Sequence, residues 1–227
     1  VLGRRPVAPH HHHLFELEHR VPASYVRLNI YPDGGVARFR VFGEPDPTAR
    51  TALRFRYLNA LFDQEAHRFF HAACGSERFA GELVRGRPYS DPSVLWKAVE
   101  AAFATMSEQD WMEAFDRHPR IGGGDGGQGP TGEAMSAREQ AGTTAASGPV
   151  QAALVEANAR YEERFGFRFV VFAAGKTATE MLEIARRRLG NDRATEQEMA
   201  AAEQRRITDL RLRRMLCVEA VGDEEAG

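Results

Sequence analysis

The fold class of this chain is decided by residues 58–76, which read LNALFDQEAHRFFHAACGS. Apolar residues recur there with the 3.6-residue period of an α-helix, so they share one helical face. Those residues are Leu58, Leu61, Phe62, Phe69, Phe70 and Ala73. Gly75 is suited to a helix C-cap and Ser76 to the start of the next helix. The pattern predicts a helical domain that begins near residue 50.

The same period continues in further apolar stripes and predicts an all-α domain over residues 49–216. The stripes are Leu95, Val99, Ala102, Phe103 and Met106; Trp111, Ala114 and Phe115; Val150, Ala153, Leu154, Ala157, Tyr161 and Phe165; Met181, Leu182, Ala185 and Leu189; and Ile207, Leu210 and Leu216. Thr195-Glu196-Gln197-Glu198 has the form of a capping box and is expected to open the last helix. Residues 167–172 are an ambiguous apolar run, for which an extended segment buried between helices is one interpretation. We expect the acidic tail, residues 217–227, to be disordered.

The N-terminal part differs in its pattern. Residues 25–31 and 36–42 alternate apolar and polar side chains as β-strands do, and Pro32-Asp33-Gly34-Gly35 is suited to a turn between them. A two-stranded hairpin alone is marginally stable. We therefore expect a short β-hairpin appendage within residues 1–48, which end in a proline-containing linker. The chain begins with Val1 rather than Met, so we expect a fragment or a processed product.

The charge balance gives no support for a nucleic-acid partner or an anionic membrane. The chain carries 30 Lys and Arg against 32 Asp and Glu, a net charge of −2, whereas phosphate binding needs clustered positive charge. No run of about 18 apolar residues is present, so no transmembrane helix is expected. The two cysteines, Cys74 and Cys217, are too few for a disulfide scaffold. We expect a soluble cytoplasmic protein with reduced thiols.

Sequence patterns typical of metal and nucleotide sites are weak. The run His10–His13 has no Cys or carboxylate at ligand spacing, and none of the common metalloprotease, zinc or acyl-transfer motifs occurs, so no metal and no cofactor is predicted. The glycine-rich residues 122–130 lack the preceding strand of a dinucleotide site and are expected to form a mobile loop. Gly175-Lys176-Thr177 lacks the earlier glycine of a P-loop. Lys176 is then either a solvated lysine or a partner for a substrate carboxylate.

Two motifs carry side chains capable of acid–base chemistry. His118 ends the helix that contains Trp111, and the following Pro119 fixes the backbone. A helix C-terminus favours the protonated imidazole, so His118 is expected to titrate near neutral pH, although a simple C-cap is the alternative. Ser136-x-x-Glu139 is a capping box, but a helix start with these groups also binds an anionic, amide-rich ligand. The residues alone leave both interpretations open for each motif.

Several motifs occur together in a characteristic order and spacing over about 160 residues. They are Ala73-Cys74-Gly75-Ser76, Arg87-Pro88, Trp111-Met112-Glu113-Ala114-Phe115, His118-Pro119-Arg120-Ile121-Gly122, Ser136-x-x-Glu139-Gln140, Asn158-x-x-Tyr161, Phe165-Gly166-Phe167 and Arg188-Leu189-Gly190-Asn191. With them, residues 57–216 resemble the 2-oxo-4-hydroxy-4-carboxy-5-ureidoimidazoline (OHCU) decarboxylase family. Residues 14–43 resemble the C-terminal end of allantoicase. The chain therefore looks like a fusion of the two, or a truncation of one.

The resemblance implies an all-α carboxy-lyase that acts without a cofactor, usually as a homodimer, and converts OHCU to (S)-allantoin in urate degradation. It places catalytic roles on His118, which would transfer the proton, and on Glu139. It places substrate binding on Pro119, Ser136, Gln140 and Lys176, and on the apolar segment Phe169, Val170, Val171, Phe172 and Ala173. An association with other urate-pathway enzymes stays open, and so does the effect of the long glycine-rich loop on closure of the site.

Two other functions stay open beside the decarboxylase. One is a catalytically silent helical scaffold in purine catabolism, against which the intact His118, Ser136, Glu139 and Gln140 argue. The other is a part of a bifunctional allantoicase fusion. The short length of the allantoicase-like part argues against residual allantoicase activity in this chain.

Glu139→Gln separates the two interpretations of Ser136-x-x-Glu139. Gln is also accepted at the third position of a capping box, so the free energy of unfolding should change by less than about 1 kcal/mol. If Glu139 accepts hydrogen bonds from substrate N–H groups, kcat/KM should fall by an amount equivalent to about 2 to 4 kcal/mol. Unchanged melting temperature together with unchanged kcat/KM would leave Glu139 as a helix cap alone.

Overall fold

The structure is a computed structural model, and it describes residues 2–17, 23, 25–31, 35–44, 46–120 and 148–218. The chain divides into two compact units, Val1–Asp46 and Pro47–Gly227. Within the described residues, no helix is both long enough and apolar enough to cross a membrane.

In the unit Val1–Asp46, the described residues form neither a helix nor a strand, so the predicted β-hairpin is not observed. Residues 25–31 and 36–42, the two expected strands, are fully described and exposed, whereas the turn residues Pro32, Asp33 and Gly34 lie outside the described residues. The alternating apolar side chains are exposed, and a lone strand pair is not stable without a layer to pack against.

The described part of the second unit contains eight helices. They are α1 (Pro47–Ala60), α2 (Asp63–Cys74), α3 (Glu77–Arg85), α4 (Pro92–Ala104), α5 (Glu108–Asp116), α6 (Gly148–Phe165), α7 (Ala178–Arg188) and α8 (Arg193–Leu216). The predicted all-α domain is confirmed. The long helix α8 packs against α1, α2 and α5, while α2 also packs against α3, and α6 against α7.

The residues that indicated a helical domain, 58–76, belong to two successive helices rather than to a single helix. The break falls at Leu61 and Phe62, and Phe62 is 81% exposed although the period placed it in the core. Arg87 accounts for the break. Its guanidinium donates to the carbonyls of Leu58 and Leu61 at 3.0 and 2.8 Å and pairs with Asp63 at the start of α2. Because Arg87, 26 or more residues away in the sequence, binds these two carbonyls, α1 can end at Ala60.

The last helix begins earlier than its sequence pattern predicts. Asp192 is its N-cap, and the Asp192 carboxylate accepts the Thr195 backbone N–H at 3.0 Å. The expected capping box at Thr195 is therefore wrong, because Asp192 supplies an equivalent cap one turn earlier. Glu196 lies in the first turn after this cap and points into the core, where it is 0% exposed.

The apolar run is an extended segment buried between helices, as one interpretation of the sequence had it. Residues 168–173 have no helical structure, and Phe169, Val170, Val171 and Ala173 are buried. Aromatic rings join this segment to the helices: Tyr161 of α6 lies 5.1 Å from Phe169 and Phe115 of α5 lies 5.2 Å from Phe167, measured between ring centroids. The segment is therefore part of the core.

A buried ion pair holds the extended segment in place. Arg188, at the end of α7, pairs with Glu196 of α8 at 2.6 Å and donates to the Val170 carbonyl at 2.8 Å. The Tyr161 hydroxyl also donates to Glu196, and the Asn191 side-chain amide donates to its second oxygen at 2.8 Å. Both charges are thus paired and hydrogen-bonded, which is the condition for burying them.

Glu196→Gln should destabilise the helical domain strongly, because it leaves the Arg188 charge buried without a counter-charge. We expect a loss of about 3 to 5 kcal/mol in the free energy of unfolding, measured by urea denaturation. Glu198→Gln is the matched control, since Glu198 lies on the same helix and is exposed. Equal midpoints for the two variants would mean that the ion pair does not stabilise the fold.

Candidate active site

His118 follows the C-terminus of α5 and is fixed on both sides. Its backbone N–H donates to the Phe115 carbonyl at 3.1 Å, and its own carbonyl accepts a hydrogen bond from the Arg168 side chain. Beyond Pro119, the Arg120 guanidinium binds the Glu162 carboxylate of α6 through two hydrogen bonds of 2.9 and 2.8 Å. A two-pronged contact of this kind fixes orientation as well as distance. The backbone at His118 is therefore held by α5, α6 and the extended segment together.

The hydrogen bonds around Gln204 determine the tautomer of His118. The Gln204 side-chain nitrogen donates to the Cys74 carbonyl at 3.1 Å and contacts the Thr208 hydroxyl at 3.2 Å. A carbonyl can only accept, so the amide orientation is fixed and Gln204 Oε1 faces His118 Nε2 at 2.5 Å. Nε2 must then carry the proton. Among the described residues no donor engages Nδ1, which keeps its lone pair.

His118 is neutral at neutral pH. Burial, reinforced by the nearby positive charges of Arg211 and Arg168, lowers the pKa of His118 to about 3, although the Gln204 hydrogen bond acts in the opposite direction. The expectation that His118 titrates near neutral pH is therefore wrong. The residue is 8% exposed, so desolvation and two neighbouring cations outweigh the dipole of the short helix α5.

Side chains bind the backbone groups of Val170 and Phe172 in the extended segment. The Val170 carbonyl accepts from Arg188, and the Phe172 N–H donates to the Glu203 carboxylate. The Lys176 ammonium donates to the Phe172 carbonyl at 2.7 Å. Lys176 therefore contacts its own loop, and its role as a surface lysine or as a partner for a substrate carboxylate stays a prediction. Within the described residues, no hydrogen bond occupies the Val171 backbone groups.

Part of the predicted site cannot be placed. Ser136, Glu139 and Gln140 lie outside the described residues, as does the glycine-rich run 122–130. Of the predicted site residues, His118, Pro119, Phe169 to Ala173 and Lys176 are described. The structure brings His118 next to the extended segment through Arg168, but the two catalytic candidates, His118 and Glu139, are not described together.

Three polar residues of α8 escaped the sequence analysis: Gln204, Thr208 and Arg211. All three are buried, and their spacing of four and three residues places them on one face of the helix. A signal was present in the sequence, because these polar residues continue the buried stripe that passes through Ala200. A buried polar stripe on a long helix indicates a polar partner in the core. Here the partner is His118, 86 residues earlier than Gln204.

Cys74 does not take part as a nucleophile. Burial raises the pKa of its thiol to about 12, so the thiolate is not populated at neutral pH. Its backbone carbonyl, in contrast, orients Gln204.

Comparison with known proteins decides the family. The OHCU decarboxylase family model matches residues 59–213, which is more than half of the chain. The chain belongs to the OHCU decarboxylase family. The chain is 37% identical over 162 residues to the 2-oxo-4-hydroxy-4-carboxy-5-ureidoimidazoline decarboxylase of Amia calva, covering 70% of this chain and 93% of that protein.

Other relatives of this OHCU decarboxylase family member include one that is much longer than the matched region and one that matches over nearly its whole length. The chain is 32% identical over 150 residues to an Arabidopsis thaliana protein called uric acid degradation bifunctional protein TTL, and the match covers 65% of this chain but 46% of that protein. A crystal structure of OHCU decarboxylase in the presence of (S)-allantoin has a TM-score of 0.57 and 30% identity, covering 69% of this chain and 99% of that one. Residues 1–46 match a second family, the allantoicase repeat.

The low pKa of His118 makes a testable contribution to the pH dependence of stability. Between pH 7 and pH 5 the unfolded chain protonates this residue, whose ordinary pKa is 6.5, while the folded chain does not. The stability that comes from burying neutral His118 is therefore present above pH 6.5 and lost as the pH falls toward 3. Over pH 7 to 5 we expect wild type to lose about 1 to 2 kcal/mol more than His118→Asn.

Denaturant unfolding of both proteins across this pH range measures the difference. Other groups, including the half-buried His71, titrate in both proteins and cancel. Parallel stability curves would show that His118 has the same pKa in the folded and unfolded states.

Proposed function

We propose that the helical domain decarboxylates OHCU to (S)-allantoin, with His118 as the group that transfers the proton. The observation that carries this proposal is the buried, neutral His118 with its proton on Nε2, held by Gln204 beside two arginines in a member of this family. A neutral imidazole with a free lone pair is a general base, which is the form that the reaction needs.

The positive field at the site suits the substrate, which carries a carboxylate. Arg211 and Arg168 both lower the pKa of His118, so their charges act at the imidazole. A bound carboxylate would offset that charge and raise the pKa of His118 toward the working range. We propose that Arg211, 6% exposed, provides this charge complementarity for the substrate. Substrate binding would then make His118 a stronger base, as the reaction requires.

The proposed reaction breaks the bond between the carboxylate and the ring carbon that bears the hydroxyl group. The electron pair forms a double bond to the carbon that bears the ureido group while the C=N pair moves onto the ring nitrogen, which takes up the one proton that the reaction consumes. His118 Nδ1 takes the hydroxyl proton as the ring carbonyl forms, and a proton is added at the carbon that bears the ureido group. The sum is one OHCU anion and one proton in, and allantoin and CO₂ out. Addition of the proton from one face gives a single enantiomer.

The extended segment is the proposed binding surface for the ring. Its Val170 and Phe172 backbone groups are engaged by Arg188, Glu203 and Lys176. In an extended chain the next residue points its N–H and C=O to the opposite side. We assign the Val171 backbone groups to the amide edge of the ring. Pro119, Phe169 and Ala173 would line the same side, and Ser136, Glu139 and Gln140 would complete the site.

The domain organisation and partners extend the proposal. We propose an appendage over residues 1–48, a catalytic domain over 49–216, an acidic tail over 217–227, a homodimer and a cytoplasmic location. The exposed Leu53 and Tyr57 support a dimer, since they lie four residues apart on α1 and so share one apolar face.

A second candidate function is a bifunctional role with allantoicase. It is favoured by the match of residues 1–46 to the allantoicase repeat. In that arrangement residues 25–31 and 36–42 would form the expected hairpin on the remaining strands of an allantoicase domain, which would supply the missing packing layer. The two enzymes would then act in one polypeptide, or in one assembly, of urate degradation.

His118→Asn should lower kcat by about 10² or more while leaving the fold intact, because Asn keeps a polar group but cannot accept the proton. Circular dichroism on freshly generated OHCU measures both the rate and the enantiomeric excess of allantoin. His12→Asn, an exposed histidine in the unit Val1–Asp46, is the matched control and should act as wild type. If wild type itself gives the rate and racemic product of the buffer blank, the chain is a silent scaffold or acts only with allantoicase.

A further inference from the structure

A second cluster of titratable side chains lies away from His118, where α2, α3 and α5 meet. It consists of His67 and His71 of α2, Glu77 of α3 and Glu113 of α5 and is called here the three-helix cluster. The two histidines are four residues apart on one helix, so they share a face. Their rings stack with centroids 6.0 Å apart. Neither the proposed reaction nor the core uses these four side chains.

Glu77 is the centre of the cluster. One of its carboxylate oxygens lies 3.4 Å from His71 Nε2 and the other lies 3.2 Å from His67 Nε2. The Glu77 backbone N–H donates to the Glu113 carboxylate at 3.1 Å, which brings the second acid to the same place. The ligand atoms of His71, Glu77 and Glu113 all lie within 4.8 Å of one another.

The backbone that carries these residues is rigid. Gly75 ends α2 with a φ of +92°, and Ser76 caps α3, so only two residues join the helices. A side chain at Gly75 would clash, since its Cβ would lie 2.7 Å from the Cγ of Arg117. The turn therefore fixes Glu77 opposite the face of α2 that holds His67 and His71. Preorganised ligands on packed helices favour metal binding.

We propose that the three-helix cluster is a binding site for a first-row divalent cation such as Zn²⁺. His71 Nε2 and the carboxylates of Glu77 and Glu113 are the ligands, and His67 is a positioning residue that holds the second oxygen of Glu77. Tetrahedral zinc with bonds of about 2.0 to 2.1 Å places its ligand atoms about 3.3 to 3.4 Å apart. The His71–Glu77 distance of 3.4 Å already fits.

The electrostatics are compatible with a cation. Two carboxylates contribute negative charge, whereas Arg117 is the positive group that faces His71. A cation bound here would join three helices that pack around the core. We therefore assign it a stabilising role, separate from the proton transfer at His118.

Zinc titration of the full chain tests the proposal, once the N-terminal histidines are removed as competitors. The background protein carries His10→Gln, His11→Gln, His12→Gln and His13→Gln. It should bind one equivalent of Zn²⁺, measured by competition with a chromogenic chelator. At a free zinc concentration of 100 times Kd, its melting temperature should rise by about 5 to 10 °C.

Variants in that background locate the site. His71→Ala and Glu77→Gln should each lose the equivalent and the thermal shift, and His67→Ala should weaken binding by about 10- to 100-fold. Glu163→Gln, an exposed glutamate on α6, is the matched control and should bind as the background does. Circular dichroism without metal confirms that each variant is folded. Loss of zinc binding in the background protein, or unchanged binding in both His71→Ala and Glu77→Gln, would overturn the proposal.

Discussion

The buried ion pair between Arg188 and Glu196 is the contact on which the rest of the helical domain depends. Arg188 is 2% exposed and Glu196 is 0% exposed, so neither charge is solvated. Each is compensated by the other and by neutral partners, among them the Val170 carbonyl and the Tyr161 hydroxyl. Arg188 also lies over the Phe169 ring, 5.0 Å from its centre. Because a buried charge without these partners is so unfavourable, the pair allows one arrangement of α6, α7, α8 and the extended segment.

The same pair fixes the polar groups around His118 through helix α8. Glu196 and Gln204 are eight residues apart on a continuous helix, a rise of about 12 Å. A helix of this length behaves as a rigid rod, so anchoring Glu196 also sets the register of Gln204. Gln204 then determines which nitrogen of His118 carries the proton. The ion pair between Arg188 and Glu196 therefore also affects which nitrogen of His118 is available to accept a proton.

Features that depend on neighbouring residues were predictable from the sequence, and features that depend on distant partners were not. The helical stripes and the Gly75–Ser76 junction follow from local period and capping, and the structure confirms them. The break at Phe62 depends on Arg87, and the lowered pKa of His118 depends on burial and on Arg211, which lies 93 positions later in the chain. A single sequence does not reveal which distant side chains meet. The predicted capping box at Thr195 is wrong for a different reason. Asp192 and Thr195 are both suitable N-caps within one turn of each other, and the buried ion pair of Glu196 favours the helix start at Asp192.

Several residues in the motifs that indicated the family belong to the buried network that stabilises the fold. Tyr161, Arg188 and Asn191 all donate to Glu196, so their joint presence in the sequence reflects one buried network rather than three contacts with a ligand. Motifs of this kind identify the fold rather than the residues that contact a ligand. His118 alone does not distinguish a helix cap from a base. The distinction comes from its surroundings, because a histidine that only capped α5 would gain from being charged, whereas this one is held neutral by burial and two arginines. A neutral imidazole beside two cations suits a substrate that carries both a carboxylate and a hydroxyl group. The cations attract the carboxylate, and the imidazole can accept the hydroxyl proton during decarboxylation.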